Sequence, residues 1–164
     1  MKVKNKICLV TGGSRGIGKE IVKELAKNFG HIIFTYKQDK NSSDQLISEL
    51  SEINPNVQSY QMDVSKRDSV KEVISSVKKD HFCIDVLVNN AGINKPEDFD
   101  KINDQEWDEI LDVNLKGPFI VTQEALSLLK KSKSSSIINI GSVSGQYGGP
   151  RTAHYAVSMA GLIS

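Results

Sequence analysis

The chain alternates short apolar runs with stretches in which apolar residues recur at helical spacing. Residues 7–10, 31–36, 57–64, 83–88 and 137–140 are apolar runs of strand length. Between them, Ile17, Ile21, Leu25 and Phe29 mark a helix over 19–29, with Leu46, Leu50 and Ile53 marking a second and Val70, Val73, Ile74 and Val77 a third. From Asn103 the pattern is helical again, with Trp107, Leu111 and Asn114 on one side; residues 119–131 and 153–164 read as two further helices. Gly30 suits the stop of the first helix, and Ser65-Lys66-Arg67-Asp68 has the form of a capping box. Buried strands alternating with amphipathic helices predict an α/β fold. The expected architecture is a Rossmann-like, doubly wound parallel sheet in one domain over 1–164.

The first strand runs into Thr11-Gly12-Gly13-Ser14-Arg15-Gly16-Ile17-Gly18 and then into the first helix. Strand, glycine turn and helix in that order form a phosphate cradle. Gly12 permits the tight turn, Gly16 lets backbone approach a pyrophosphate, and Gly18 lets the helix pack close to the strand. Free N–H groups and the positive end of the helix dipole then face the phosphates, with Ser14, Arg15 and Ile17 beside them. The spacing is G-x-x-x-G-x-G rather than the general G-x-G-x-x-G.

The end of the second strand bears on which nucleotide fits. An acid there would accept hydrogen bonds from a ribose 2′-hydroxyl and select NAD, whereas cations tolerate a 2′-phosphate. The chain offers Tyr36 and Lys37, with Arg15 in reach from the glycine turn, and Asp39 falls late, in the following loop. The expected cofactor is NADP(H) in preference to NAD(H). Asp63, followed by Val64, ties down its own turn or holds an adenine amino group. Asn89-Asn90-Ala91-Gly92 is either an asparagine turn or a place where backbone passes close to a flat ligand while amides stitch strands together. Asn114, polar on an apolar face, is a helix-distorting structural element or part of a proton-handling network.

Near the C-terminal end, Ser142 leaves the fifth strand and Tyr155 opens the last helix. In a doubly wound sheet both hydroxyls would stand over the ligand crevice, tyrosine as general acid toward a carbonyl oxygen and serine holding that oxygen.

A net charge of +1 gives no electrostatic footprint for nucleic acid or an anionic membrane surface. No apolar stretch spans a bilayer, and the N-terminal lysines precede only four apolar residues, too few for a signal peptide. Cys8 and Cys83 sit in apolar runs and are expected to pack as small hydrophobes, neither bridged nor holding metal. A reducing cytoplasm is the expected setting.

Taken in order, TGGSRGIG at 11–18, DV at 63–64, NNAG at 89–92, Asn114 in VNLKGPF, Ser142 in INIGSVSG and Tyr155 resemble the short-chain dehydrogenases/reductases, and within them the 3-oxoacyl-[acyl-carrier-protein] reductase group. The resemblance covers the whole chain. It implies a Rossmann fold binding NAD(P)(H), a Ser142–Tyr155 catalytic pair, Asn114 supporting a proton-relay water, and assembly as dimers or tetramers. The implied substrate is a small-molecule carbonyl, linked to acyl carrier protein where the likeness to the reductase group holds. The chain departs from the family's Tyr-x-x-x-Lys, having Met159 one turn after Tyr155. It also reaches Ser164 within a helix, so the C-terminal strands and lid of the family are expected to be lacking. Both departures predict weak or absent turnover, with a nucleotide-binding scaffold as the alternative.

Overall fold

The computed structural model describes residues 3–164. Five strands, β1 (Val3–Val10), β2 (Phe29–Tyr36), β3 (Val57–Gln61), β4 (Val86–Asn89) and β5 (Ser136–Asn139), form one parallel sheet in the order β3-β2-β1-β4-β5. The order reverses between β1 and β4, which places the ligand crevice of such a sheet at their carboxyl ends.

Alternation along each strand sorts the core into two layers. Ile7 and Leu9 of β1 and Ile33 of β2 face one side, packing on α3 (Arg67–Asp80) and α5 (Gly117–Leu129). Cys8, Val10, Ile32 and Phe34 face the other, against α1 (Gly16–Ala26) and α2 (Lys40–Leu50). Where both faces are covered, along Ile7–Val10 of β1, Ile32–Tyr36 of β2 and Leu87–Val88 of β4, the strands are apolar almost without a break, whereas β5 is exposed along its length. The remaining elements are a 3-10 turn (Phe99–Lys101), α4 (Asp104–Leu111), a π-helical turn (Asp112–Lys116), the short α6 (Ser144–Tyr147) and α7 (Ala153–Ile163).

Several boundaries differ from those expected, each for a local reason. Helix α1 stops at Ala26, and Gly30 lies inside β2 rather than ending the helix. The stop is made by Asn54, whose Nδ2 donates to the carbonyls of Ala26 (3.2 Å) and Phe29 (2.8 Å). Residue Ile53, expected on the apolar face of α2, lies beyond that helix and is exposed. The capping box does not form: Asp63 Oδ1 accepts from both the N–H and hydroxyl of Ser65, so α3 begins at Arg67 with Lys66 as its N-cap. Strand β3 ends at Gln61, because the N–H of Asp63 donates to Ser69 Oγ instead of to the sheet. Residues 83–85 stay outside β4, where buried Asp85 accepts from the Ile7 N–H (2.9 Å) and the Ser132 hydroxyl (2.6 Å). Helix α6 was not legible as a helix.

The π-helical turn has two visible causes. Pro118 has no N–H to return to the Asn114 carbonyl four residues earlier. The Gly117 N–H bonds to the Asp112 carbonyl, five residues back, and a Cβ on Gly117 would stand 2.9 Å from Val64 Cγ2.

Candidate functional site

A crevice of about 630 Å³ opens at the carboxyl ends of β1, β2 and β4. Its floor is the glycine turn. The Gly13 N–H donates to the Thr35 carbonyl and the Thr11 N–H to that of Val88, fastening the turn to strands on both sides of β1. Gly12 (φ +64°) and Gly16 (φ +55°) take left-handed conformations that a side chain would strain. At Gly18 the constraint is contact, since a Cβ there would lie 2.2 Å from the Gly12 carbonyl oxygen and 2.5 Å from Asn90 Nδ2. A Cβ on Gly13 would meet Phe34 Cβ at 2.6 Å, so Gly13 seats the turn on the second strand, a role the fingerprint did not announce. Arg15 is the N-cap of α1 and makes no side-chain capping bond, leaving the first-turn N–H groups to a ligand.

The NNAG segment forms the next wall. Asn90 Nδ2 donates to the carbonyls of Thr11 and Gly12, both at 3.0 Å, and Thr11 Oγ1 accepts from the N–H groups of Asn90 and Ala91. Asn89 Nδ2 reaches across to Asn139 Oδ1 (2.8 Å) and Thr122 Oγ1 (3.1 Å). The amides do stitch the strands, and Thr11 is the partner that composition alone did not single out.

At the far end of β2, Lys37 Nζ sits 2.8 Å from Asp63 Oδ2. Partial burial raises the Asp63 carboxyl, but the Lys37 ammonium and the Ser65 hydroxyl and N–H outweigh it and hold the group below the usual carboxylate range. Asp39 lies in the loop after β2, as expected. It lines the rim as the N-cap of α2, with Oδ1 accepting from Ser42 N (2.9 Å) and Oδ2 from Ser42 Oγ (2.6 Å). Those two bonds, with the Arg15 charge adding to them, lower its carboxyl.

All the expected cofactor-binding residues, Gly12, Ser14, Arg15, Gly16, Ile17, Gly18, Tyr36, Lys37, Asp63, Val64, Asn90, Ala91, Gly92 and Tyr155, line this one crevice. Thr35, Gln38, Asp39, Met62, Ile93, Asn94, Glu109, Val113, Ile140, Gly141, Met159 and Leu162 complete it. Of the three expected catalytic residues, only Tyr155 lines it. Ser142 stands one residue beyond the lining, its Oγ accepting from the Ser144 N–H (3.2 Å) at the start of α6. Asn114 is buried behind the wall. Its amide pairs with Ile93, donating to the carbonyl (2.9 Å) and accepting from the N–H (2.8 Å), and donates also to Ser158 Oγ (3.1 Å). Met159 is buried, 4% exposed, one turn along α7 from Tyr155.

Comparison with known proteins gives this arrangement a lineage. Residues 6–164 match the family model of the short chain dehydrogenases. The chain is 38% identical to a 3-oxoacyl-[acyl-carrier-protein] reductase FabG of Thermotoga maritima, over 99% of its own length and 66% of the relative's. It is 38% identical to the enzyme of that name from Staphylococcus epidermidis, covering 97% of this chain and 65% of the other. It therefore spans about two thirds of the length of the curated relatives it matches. A metagenomic short-chain oxidoreductase solved in complex with NADP superposes with a TM-score of 0.92 at 29% identity, over 98% of this chain and 73% of that one. The chain belongs to the short-chain dehydrogenase family.

Proposed function

We propose that the crevice binds NADP(H) in preference to NAD(H) and serves reversible reduction of a carbonyl to an alcohol. The substrate class we assign is a 3-oxoacyl thioester, following the names of the relatives at 38% identity. The observation that carries the reading is that the open N-terminus of α1 and Tyr155 line one crevice at the switch point of the sheet.

The residues present fit a dinucleotide. First-turn N–H groups of α1 would take the pyrophosphate, and no atom lies within 4 Å of where a Cβ on Gly16 would stand. Asp63 would accept from the adenine amino group, and Arg15 and Lys37 would meet the 2′-phosphate. Asp39, engaged by Ser42, is a poorer acceptor for a ribose hydroxyl than a free acid at Tyr36 would be. When bound, NADPH supplies the hydride. Tyr155 would donate a proton to the carbonyl oxygen, and Ser142, turned from the Ser144 N–H, would hydrogen-bond the same oxygen. Asn114 has spent its side chain on Ile93 and Ser158, so its contribution to a proton relay would come from its backbone carbonyl, to which Pro118 returns no N–H. A water held there would refill Tyr155.

A second reading, a nucleotide-binding scaffold without turnover, is favoured by Met159. Its buried thioether brings neither charge nor donor to the face of α7 that carries Tyr155, where the family resemblance implies lysine. Substrate-dependent oxidation of NADPH by the chain and by Met159→Lys, with a 3-oxoacyl thioester and a simple ketone as substrates, separates the two. The oxidoreductase reading expects turnover that rises on introducing lysine, by up to about 10²–10⁴-fold, the range of general acid–base assistance. Cofactor binding with no turnover in either protein would establish the scaffold.

A further inference from the structure

One cluster beside the crevice has no part in that scheme. Arg151 has φ +57°, the only left-handed residue other than glycine among the described residues. Such a conformation persists in a residue with a Cβ only where the surroundings over-determine it. Here they do. The Arg151 carbonyl accepts from the Glu97 N–H (2.8 Å), Nε lies 2.9 Å from Asp98 Oδ1, and Nη2 lies 3.3 Å from Glu97 Oε1. Both carboxylates are further held, Asp98 by Lys101 Nζ (2.9 Å) and Glu97 by the Asp98 N–H (2.8 Å).

The segment that Arg151 grips is the continuation of NNAG, and its other end is gripped as well. Ile93 is paired at both backbone atoms with the Asn114 amide, which also donates to Ser158 Oγ, and that hydroxyl donates to the Tyr155 carbonyl (2.7 Å). Residues 93–98 are therefore fastened toward α7 at two points, Arg151 before Tyr155 and Ser158 after it. Ile93 and Asn94 form the crevice wall shared with Tyr155.

We propose that Arg151 is a positioning residue for the Tyr155 half of the crevice: its clamp on Glu97 and Asp98 holds the Ile93–Asn94 wall at a fixed separation from the tyrosine. The inference rests on the reading of the crevice as a dinucleotide site with its nicotinamide half at Tyr155. The clamp is local, so it governs that half and leaves the adenine half, at Arg15, Lys37 and Asp63, untouched.

The test compares the wild-type chain with Arg151→Gly, which keeps the left-handed backbone without strain, and with the double variant Glu97→Gln/Asp98→Asn, which keeps arginine but removes its charged partners. Hydrogen exchange of residues 93–98 is followed by mass spectrometry, and affinities for NADPH and for adenosine 2′,5′-bisphosphate by calorimetry. In both variants exchange is expected to quicken and NADPH to weaken by about three- to tenfold, the scale of two partly exposed ion pairs. The urea midpoint should fall by no more than the two exposed ion pairs are worth, the affinity for the bisphosphate should stay as in wild type, and combining the variants should add nothing further. Unchanged exchange, equal weakening of both ligands, or additive effects would overturn the clamp. If wild type binds neither nucleotide, the cofactor reading fails by itself, and the exchange of 93–98 alone then decides the proposal.

Discussion

Replacing Gly18 by alanine should damage the cradle by contact, and replacing Gly16 should damage it by conformation. At Gly18 the added methyl would lie 2.2 Å from the Gly12 oxygen and 2.5 Å from Asn90 Nδ2, both parts of the wall itself. An ordinary carbon–oxygen contact is about 3.3–3.6 Å, so the start of α1 must retreat by roughly 1 Å. Overpacking of that kind costs about 1–3 kcal/mol, and the helix propensity gained over glycine returns at most about 1 kcal/mol. The shift also pulls Asn90 from the carbonyls of Thr11 and Gly12. At Gly16 the methyl meets nothing within 4 Å, and the cost is that of a left-handed residue with a Cβ, about 1–2 kcal/mol. Urea denaturation gives the two stabilities, and the ¹⁵N–¹H spectrum gives the Asn90 side-chain amide. The two variants should lose comparable stability while only Gly18→Ala moves the Asn90 amide signals. A Gly18→Ala protein within about 0.5 kcal/mol of wild type, with those signals in place, would refute the close-packing argument.

Three further outcomes follow from the same structure. Asn114→Leu strands the N–H and carbonyl of Ile93 and should cost about 2–6 kcal/mol in urea denaturation, two unsatisfied groups at about 1–3 kcal/mol each; a loss below about 1 kcal/mol would show that water replaces the amide freely. The Asp63 carboxyl is lowered in the folded chain, so its contribution is present above the ordinary carboxylate range and is lost as pH falls through the folded value. Asp63→Asn should accordingly flatten the acid limb of the stability–pH curve, by no more than about 1 kcal/mol for so exposed a partner as Lys37, and an unchanged limb would dismiss the pair. Burial, with Asp85 adding to it, pushes the Cys8 thiol up to about 12, while half-buried Cys83 is raised as well. Iodoacetamide at pH 8 should therefore modify Cys83 slowly and Cys8 only on unfolding, and rapid double alkylation of the folded chain would contradict the packing of β1.

What could be read in advance was whatever depends on neighbours in sequence. The glycine cradle is a strand, a turn and a helix in succession, so its residues announced themselves, as did the apolar faces that became the two core layers. What depends on partners far along the chain stayed hidden. Lys37 reads as a free cation for a 2′-phosphate, yet Asp63, just past the end of β3, holds it. Asp39 reads as a loop residue and is one; what stayed hidden is that its carboxylate caps α2 through Ser42. Gly30 looked like a helix stop because nothing local reveals that Asn54 ends α1. For Asn114 two readings stood open; the amide is structural in its bonding, and Pro118 returns no N–H to its backbone carbonyl. The left-handed turn at Arg151 had no signal, since arginine does not advertise a positive φ as glycine does.

The central claim is that the crevice between β1 and β4 is a dinucleotide site that prefers the 2′-phosphorylated form. Calorimetric titration of the folded chain with NADPH and with NADH, repeated on Arg15→Ala, addresses it directly. NADPH should bind more tightly than NADH, and Arg15→Ala should weaken NADPH while leaving NADH nearly unchanged, because only the former offers the 2′-phosphate proposed to meet the guanidinium. Equal affinities for the two, a preference for NADH, or no binding of either by a demonstrably folded sample would contradict the account.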